Sequence, residues 1–148
     1  MNLDKYTILY IIELLDDYSK NKFIQTNHQF NNYRKSIIYN NKYEYNEIID
    51  KINEGYIFKK ICYIAYDKNI PSSVTHLTFG YFFNQDIKGC IPSSVTHLTF
   101  GWKINQDIKE CIPSSVTHLT FGFEINQDIK DCISSTVIHL TAGGKKLK

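Results

Sequence analysis

A chain of 148 residues, 43% of them hydrophobic, has room for one compact domain or two small ones and enough apolar mass to bury a core. Its formal charge is +2, and its lysines are spread among acids and not gathered in a stripe, which excludes nucleic acid as the favoured partner. It holds no apolar run of about eighteen residues and no basic segment leading to a small-residue cleavage site, so neither a membrane span nor a secretory signal is expected.

Residues 1–42 contain no glycine or proline, and their apolar positions recur at helical intervals. Leu3, Ile8, Ile11, Ile12 and Leu15 predict a first helix. Asp16-Asp17 is placed to end it and to cap a second helix carrying Phe23 and Ile24, and Phe30, Tyr33, Ile37 and Ile38 predict a third. This segment reads as a small helical bundle at the margin of independent stability. A linker follows over 43–69. In it Tyr45, Ile48, Ile49, Ile52 and Tyr56 share one helical face, with Gly55 as the C-cap. Phe58 to Asp67 reads as a truncated first coil, in which Ile61, Ile64 and Tyr66 stand for Val74, Leu77 and Phe79.

From Ile70 the chain is periodic. Ile70-Pro71-Ser72-Ser73-Val74-Thr75-His76-Leu77-Thr78-Phe79-Gly80 returns almost letter for letter from Ile91 and Ile112, and a degraded copy runs from Ile133 with Ser134 for proline and Ala142 for phenylalanine. Units of 21 residues holding one β-rich segment are too small to bury an apolar face alone, so the period predicts a solenoid over 70–143. Alternation places Leu77 and Phe79 on one side of each strand, His76 and Thr78 on the other. Parallel strands about 4.8 Å apart then give a narrow sheet of four coils. Asn84, Asn105 and Asn126 are expected to point inward and serve buried backbone groups, and Cys90, Cys111 and Cys132 to pack just before each turn. After Val137 to Thr141 only a basic tail, 144–148, remains. That leaves an edge open to self-association unless the lysines blunt it.

The periodic copying also speaks about chemistry. Ser73, His76 and Asp86 recur in every full unit, whereas an active site needs one unequal constellation around one pocket, so no catalytic residue and no cofactor is expected. His76, His97, His118 and His139 line up on successive strands, but ligands in a flat row do not converge on an ion and no metal site is expected. The cysteines report the repeat rather than a disulfide framework, in keeping with a cytoplasmic or nuclear protein. Tyr81, Trp102 and Phe123 follow the constant strand at positions where neighbouring residues vary between copies. With the histidines they are the candidate partner-binding face of the repeats.

The repeat resembles the FNIP repeat, a relative of the leucine-rich repeat, through Phe83-Asn84-Gln85, Ile70-Pro71 and the Val, Leu and Phe of the strand. The first 35 residues resemble an F-box through Leu3-Asp4, Ile8-Leu9, Ile11-Ile12, Leu15-Asp16, Phe23-Ile24 and Phe30, with Asp4 where proline is usual and Phe30 where tryptophan is usual. Amoebae and the giant viruses that infect them pair these modules. The resemblance implies an α+β chain: an F-box-like helical bundle, then a short right-handed leucine-rich-repeat-like β-solenoid with one parallel strand per coil. It further implies a non-enzymatic adaptor whose F-box docks the Skp adaptor of a Skp-cullin-F-box ubiquitin ligase while the repeats hold a target protein. By motif position Leu3, Ile8, Leu9, Ile12, Leu15 and Phe23 would meet the Skp adaptor, with part of this set serving the bundle's own core. The alternative is a structural or self-associating repeat protein with no ligase link.

Overall fold

The computed structural model describes residues 4–26, 28–104, 107–125, 129 and 132–147. The chain divides into two compact units, Met1–Lys60 and Ile61–Lys148.

In the first unit, helix α1 (Lys5–Glu13) begins at Asp4, whose carboxylate accepts hydrogen bonds from the Tyr6 and Thr7 amides and from the Thr7 hydroxyl. The residue that departs from the F-box pattern is thus an N-cap, satisfying amides that a helix start leaves unpaired. Helix α2 (Asp17–Thr26) is capped by Asp16, which accepts from the Ser19 amide at 2.7 Å. The third predicted helix is only partly present: a 3-10 helix covers His28–Ser36, and the chain then turns extended as β1 (Ile38–Glu44). Helix α3 (Tyr45–Asn53) ends as its sequence predicts. Gly55 sits at φ +88, and the Gly55 and Tyr56 amides donate back to Ile52 and Lys51, a glycine-dependent C-cap. Ile8, Ile12, Ile24, Ile37 and Tyr39 form the core, with Phe23, Phe30, Tyr43 and Phe58 packed around it.

Strand β2 (Ile57–Ala65) crosses the division between the units, and its residues from Ile61 onward are the first rung of the second. The rungs that follow are β3 (His76–Phe79), β4 (His97–Thr99), β6 (His118–Phe121) and β8 (His139–Ala142), all parallel and paired in sequence order. His aligns with His, Leu with Leu and Thr with Thr, as the 21-residue period requires. A second pair, β5 (Lys103–Ile104) and β7 (Glu124–Ile125), runs parallel on the same period. Val74, Val95, Val116 and Val137 are fully buried, as are Ile87 and Ile108, with Leu77, Leu98 and Leu119 next to them in burial. Phe79, Phe100 and Phe121 stack at centroid distances of 5.5 and 5.2 Å. Each unit supplies one layer of a core that only the stack completes.

The turn ahead of each strand is closed by a bond from the Val amide to the carbonyl three residues earlier: Pro71, Pro92, Pro113, and Ser134 in the degraded copy. Serine replaces proline there without loss, because the turn uses this residue's carbonyl. The glycines after the strand answer to space. A Cβ on Gly101 would lie 2.7 Å from the Gly80 carbonyl oxygen, and one on Gly122 would strike the Gly101 carbonyl oxygen.

Three expectations are corrected. In the truncated coil, Cys62 pairs with His76 and Ala65 with Phe79, one residue out of the predicted register. Ile64 and Tyr66 therefore face solvent while Ile61 and Ala65 are buried. A slip of one residue exchanges the faces of a strand, and here it is fixed by Ile61, whose amide donates to Thr75 Oγ1 and whose carbonyl accepts from the Thr75 amide. Asn84 is exposed instead of inward; Asn105 and Asn126 lie outside the described residues. Backbone amides in the return segments are served by Asp86 and Asp107, which accept from the Lys88 and Lys109 amides at 2.9 and 2.8 Å. Finally, the edge of β8 is not open. Gly143 and Gly144, both at positive φ, turn the basic tail back as β9 (Lys145–Lys146), antiparallel to β8. This two-residue turn needs left-handed backbone at both positions, which glycine supplies. Self-association through Val137 to Thr141 thereby loses its unpaired edge.

Candidate partner-binding surfaces

In the first unit, the positions singled out by the F-box resemblance divide. Ile8 and Ile12 are buried in the unit's own core, Leu9, Leu15 and Phe23 are half-buried, and Leu3 lies outside the described residues. Leu9 and Ile12 also line a cleft of about 230 Å³ together with Ile37 and Ile38. Ile8 and Ile12 hold α1 in place, and the little surface Ile12 shows lies in that cleft. The apolar surface that α1 and α2 leave uncovered is a different set: Tyr6, Tyr10, Leu14 and Tyr18, at 80, 64, 70 and 75% exposure, with Ile11 at 37%. Tyr6, Tyr10 and Leu14 are four residues apart and so share one helical face. The pattern was legible as a helical stripe, but inward and outward apolar stripes on one short helix are told apart only by what packs on them.

Beneath this surface lies a feature the sequence concealed. Asp17 and Lys20 are 3 and 1% exposed and lie 3.2 Å apart. The Lys20 ammonium also donates to the Ile38 carbonyl at 2.8 Å. The carboxylate accepts from the Asn40 and Asn41 amides and from the Tyr43 hydroxyl at 3.1, 2.7 and 2.9 Å. Burial pushes the Asp17 carboxyl up, but these hydrogen bonds outweigh it and hold the group below its ordinary value. Burial and the bond to Asp17 push the Tyr43 hydroxyl up to about 12. An Asp and a Lys three apart on a helix read as a solvated surface pair. Only the return of β1 across them makes them core.

In the second unit, the outward side of the strands carries columns of identical residues. His76, His97, His118 and His139 stack with ring centroids 4.0, 4.0 and 4.5 Å apart. The hydroxyls of Thr75, Thr96 and Thr117 each lie 2.9 Å from Nδ1 of the following histidine, which sets the ring plane and keeps the column regular. Two charges about 4 Å apart repel by about 1 kcal/mol even at the dielectric of water, so neighbouring imidazoles resist charging together. Burial, and then the charge of His139, lowers the His118 imidazole below its ordinary value. The histidines' parallel rings do not converge, and among the described residues no group of three or more His, Cys, Asp or Glu is arranged to hold a metal ion.

Past the C-terminal ends of these strands runs a second column. Tyr81, Trp102 and Phe123 follow one another at 5.9 and 5.0 Å between centroids, all exposed, with Phe82 against Tyr81. The cysteine column stands apart: Cys111 is buried, Cys90 and Cys132 are half-buried, and burial pushes the Cys90 and Cys111 thiols up, away from the reactive thiolate. No described helix is long and apolar enough to cross a membrane.

Near-identical parallel coils, each covering its neighbour's apolar side and showing a uniform face outward, define a short β-solenoid repeat protein. The chain belongs to the FNIP repeat family, whose model, described as FNIP Repeat, matches residues 66–103, 83–124 and 105–145. It is also similar to a protein of Acanthamoeba polyphaga mimivirus that bears the name "Putative F-box protein", with 35% identity over 81 residues, 54% of this chain. The match covers 32% of that relative's length. No solved structure matches the chain.

Proposed function

We propose that the protein is a target-recruiting adaptor of a Skp-cullin-F-box ubiquitin ligase, its helical unit docking the Skp adaptor and its FNIP repeats holding a target protein. The observation that carries this reading is the uncovered apolar stripe of Tyr6, Tyr10, Leu14 and Tyr18 on the unit that resembles an F-box. Aromatic and leucine side chains at this exposure on consecutive helices are a surface suited to a hydrophobic partner. The name of the mimiviral relative points the same way. In this reading Leu9, Leu15 and Phe23 border the interface while Ile8 and Ile12 keep α1 straight behind it. His76, His97, His118 and His139, flanked by Tyr81, Trp102 and Phe123, form the target-binding face. The chain itself performs no reaction, and its site of action is the cytoplasm or nucleus where such ligases work.

The test is capture of a purified Skp-type adaptor by the full chain. A Tyr10→Asp/Leu14→Asp variant, with helical circular dichroism equal to that of the parent, is expected to capture at least about tenfold less, as two desolvated charges in an apolar interface would require. Failure of the intact chain to capture the adaptor, or equal capture by the folded variant, overturns the proposal.

A further inference from the structure

We infer that the outward face of the repeat sheet is a docking strip for an extended acidic peptide segment, which lies along the histidine column and is held more tightly as the imidazoles take up protons. The inference rests on the reading of the repeats as the target-holding half of the chain, and it names the chemistry of the target.

Charge is the first support. Strand alternation puts the histidine column, the threonine column from Thr78 to Thr141, Cys62 and Ile64 on this face. Lys146 stands directly opposite Thr141 across the β8–β9 pair and so joins the same face at its far end. Among these described residues none is a carboxylate. Of the second unit's described acids, Asp67, Asp86, Asp107 and Glu110 belong to the segments between strands, and Glu124 belongs to β7 of the separate two-stranded sheet. The face is neutral or cationic at every position, and lowering the pH adds only positive charge to it.

Spacing is the second support. With stacked rings 4.0 Å apart along His76, His97 and His118, alternate imidazoles stand about 8 Å apart. An extended peptide running across the coils presents every second side chain on one side at about 6.6 to 6.8 Å, and flexible glutamate arms span the remainder. The exposed Tyr81, Trp102 and Phe123 column lies past the C-terminal ends of the same strands, five residues beyond the histidines, and is available to residues of the target outside the acidic segment. Coupling follows from the stacking. In the free protein two imidazolium ions on adjacent rings 4.0 Å apart repel each other. Carboxylates laid over alternate rings offset that repulsion, raise the imidazoles' proton affinity and make binding take up protons. The threonine hydroxyls at Nδ1 remain in place in either state and fix the rings toward which the carboxylates are drawn.

The experiment is calorimetric titration of the full chain with a synthetic octapeptide of alternating Glu and Ser, and with its Gln-Ser counterpart, at about pH 7.5 and about pH 5.5, on either side of the ordinary imidazole value. The Glu peptide is expected to bind at least about tenfold more tightly at the lower pH with net proton uptake, while the Gln peptide shows no such response. His97→Gln/His118→Gln should abolish the pH response. Thr99→Glu/Thr120→Glu, which leaves the histidines intact, should weaken the Glu peptide at both pH values and so keeps the test open if the first variant does not fold. No binding of the Glu peptide, equal affinity at the two pH values, or a pH response that survives the histidine changes overturns the inference. The same preparations are scored for Skp-adaptor capture. Lost peptide binding with retained capture overturns the docking strip alone, and lost capture with intact peptide binding overturns the ligase reading alone.

Discussion

Replacing Asp17 with alanine tests whether the first unit is held by one buried ion pair. The change leaves the Lys20 ammonium, at 1% exposure, bonded to the Ile38 carbonyl but without its counter-ion, and it strips an acceptor from the Asn40 and Asn41 amides and the Tyr43 hydroxyl. Removing one partner of a buried pair costs about 3–5 kcal/mol, because the surviving charge stays desolvated. A unit spanning Met1–Lys60 has, at about 0.05–0.15 kcal/mol per residue, only about 3–9 kcal/mol to lose. Asp17→Ala should therefore remove about half or more of the helical unit's stability. Lys20→Met is the informative contrast. It removes the ammonium but leaves the carboxylate its three other donors, so the expected cost is smaller, about 1–3 kcal/mol. Urea titration of the full chain followed by helical circular dichroism reads both, and hydrogen exchange at the Asn40 and Asn41 amides reports the network locally. Equal costs for the two variants, or a cost under about 1 kcal/mol for Asp17→Ala, would refute the claim that this pair organises the unit.

The same network predicts the unit's pH limits. Asp17 is depressed below its ordinary 3.8, so its contribution is complete above that value and is lost as pH falls through the lower folded one; Tyr43 is raised from 10.0 to about 12, so its contribution holds below 10.0 and is lost as pH rises toward 12. Melting temperature against pH should show both flanks, and Tyr43→Phe should remove its share of the alkaline one. In the second unit, Gly101→Ala and Gly122→Ala should each destabilise by about 1–3 kcal/mol, since the added Cβ meets the carbonyl of the preceding coil. Gly89→Ala is the control: it has open space around it, and its cost comes from backbone at φ +71 alone. Thermal unfolding followed at the β-sheet signal should rank the two stacked glycines above it.

What the sequence by itself determined is whatever the period or local backbone chemistry dictates. The 21-residue repeat fixed the solenoid, its strands and the Val, Leu and Phe layers, because copied units leave one arrangement in which each covers the next. Asp16 and Gly55 fixed helix ends by bonds to their own neighbours in sequence. The Gly143-Gly144 pair carries a hairpin signal of the same local kind, two adjacent residues free to take positive φ. Tertiary structure decided what depends on residues far apart in the chain. The register of β2 hangs on Ile61 meeting Thr75, since a lone strand has two faces of similar apolarity and nothing local to choose between them. Residues 38–44 became a strand and not the end of a third helix, and in that position Asn40 and Asn41 reach the Asp17 carboxylate. Whether Asp17 and Lys20 are core or surface, and whether Ile8 or Tyr10 is left uncovered, turns on desolvation by neighbours that helical spacing does not specify.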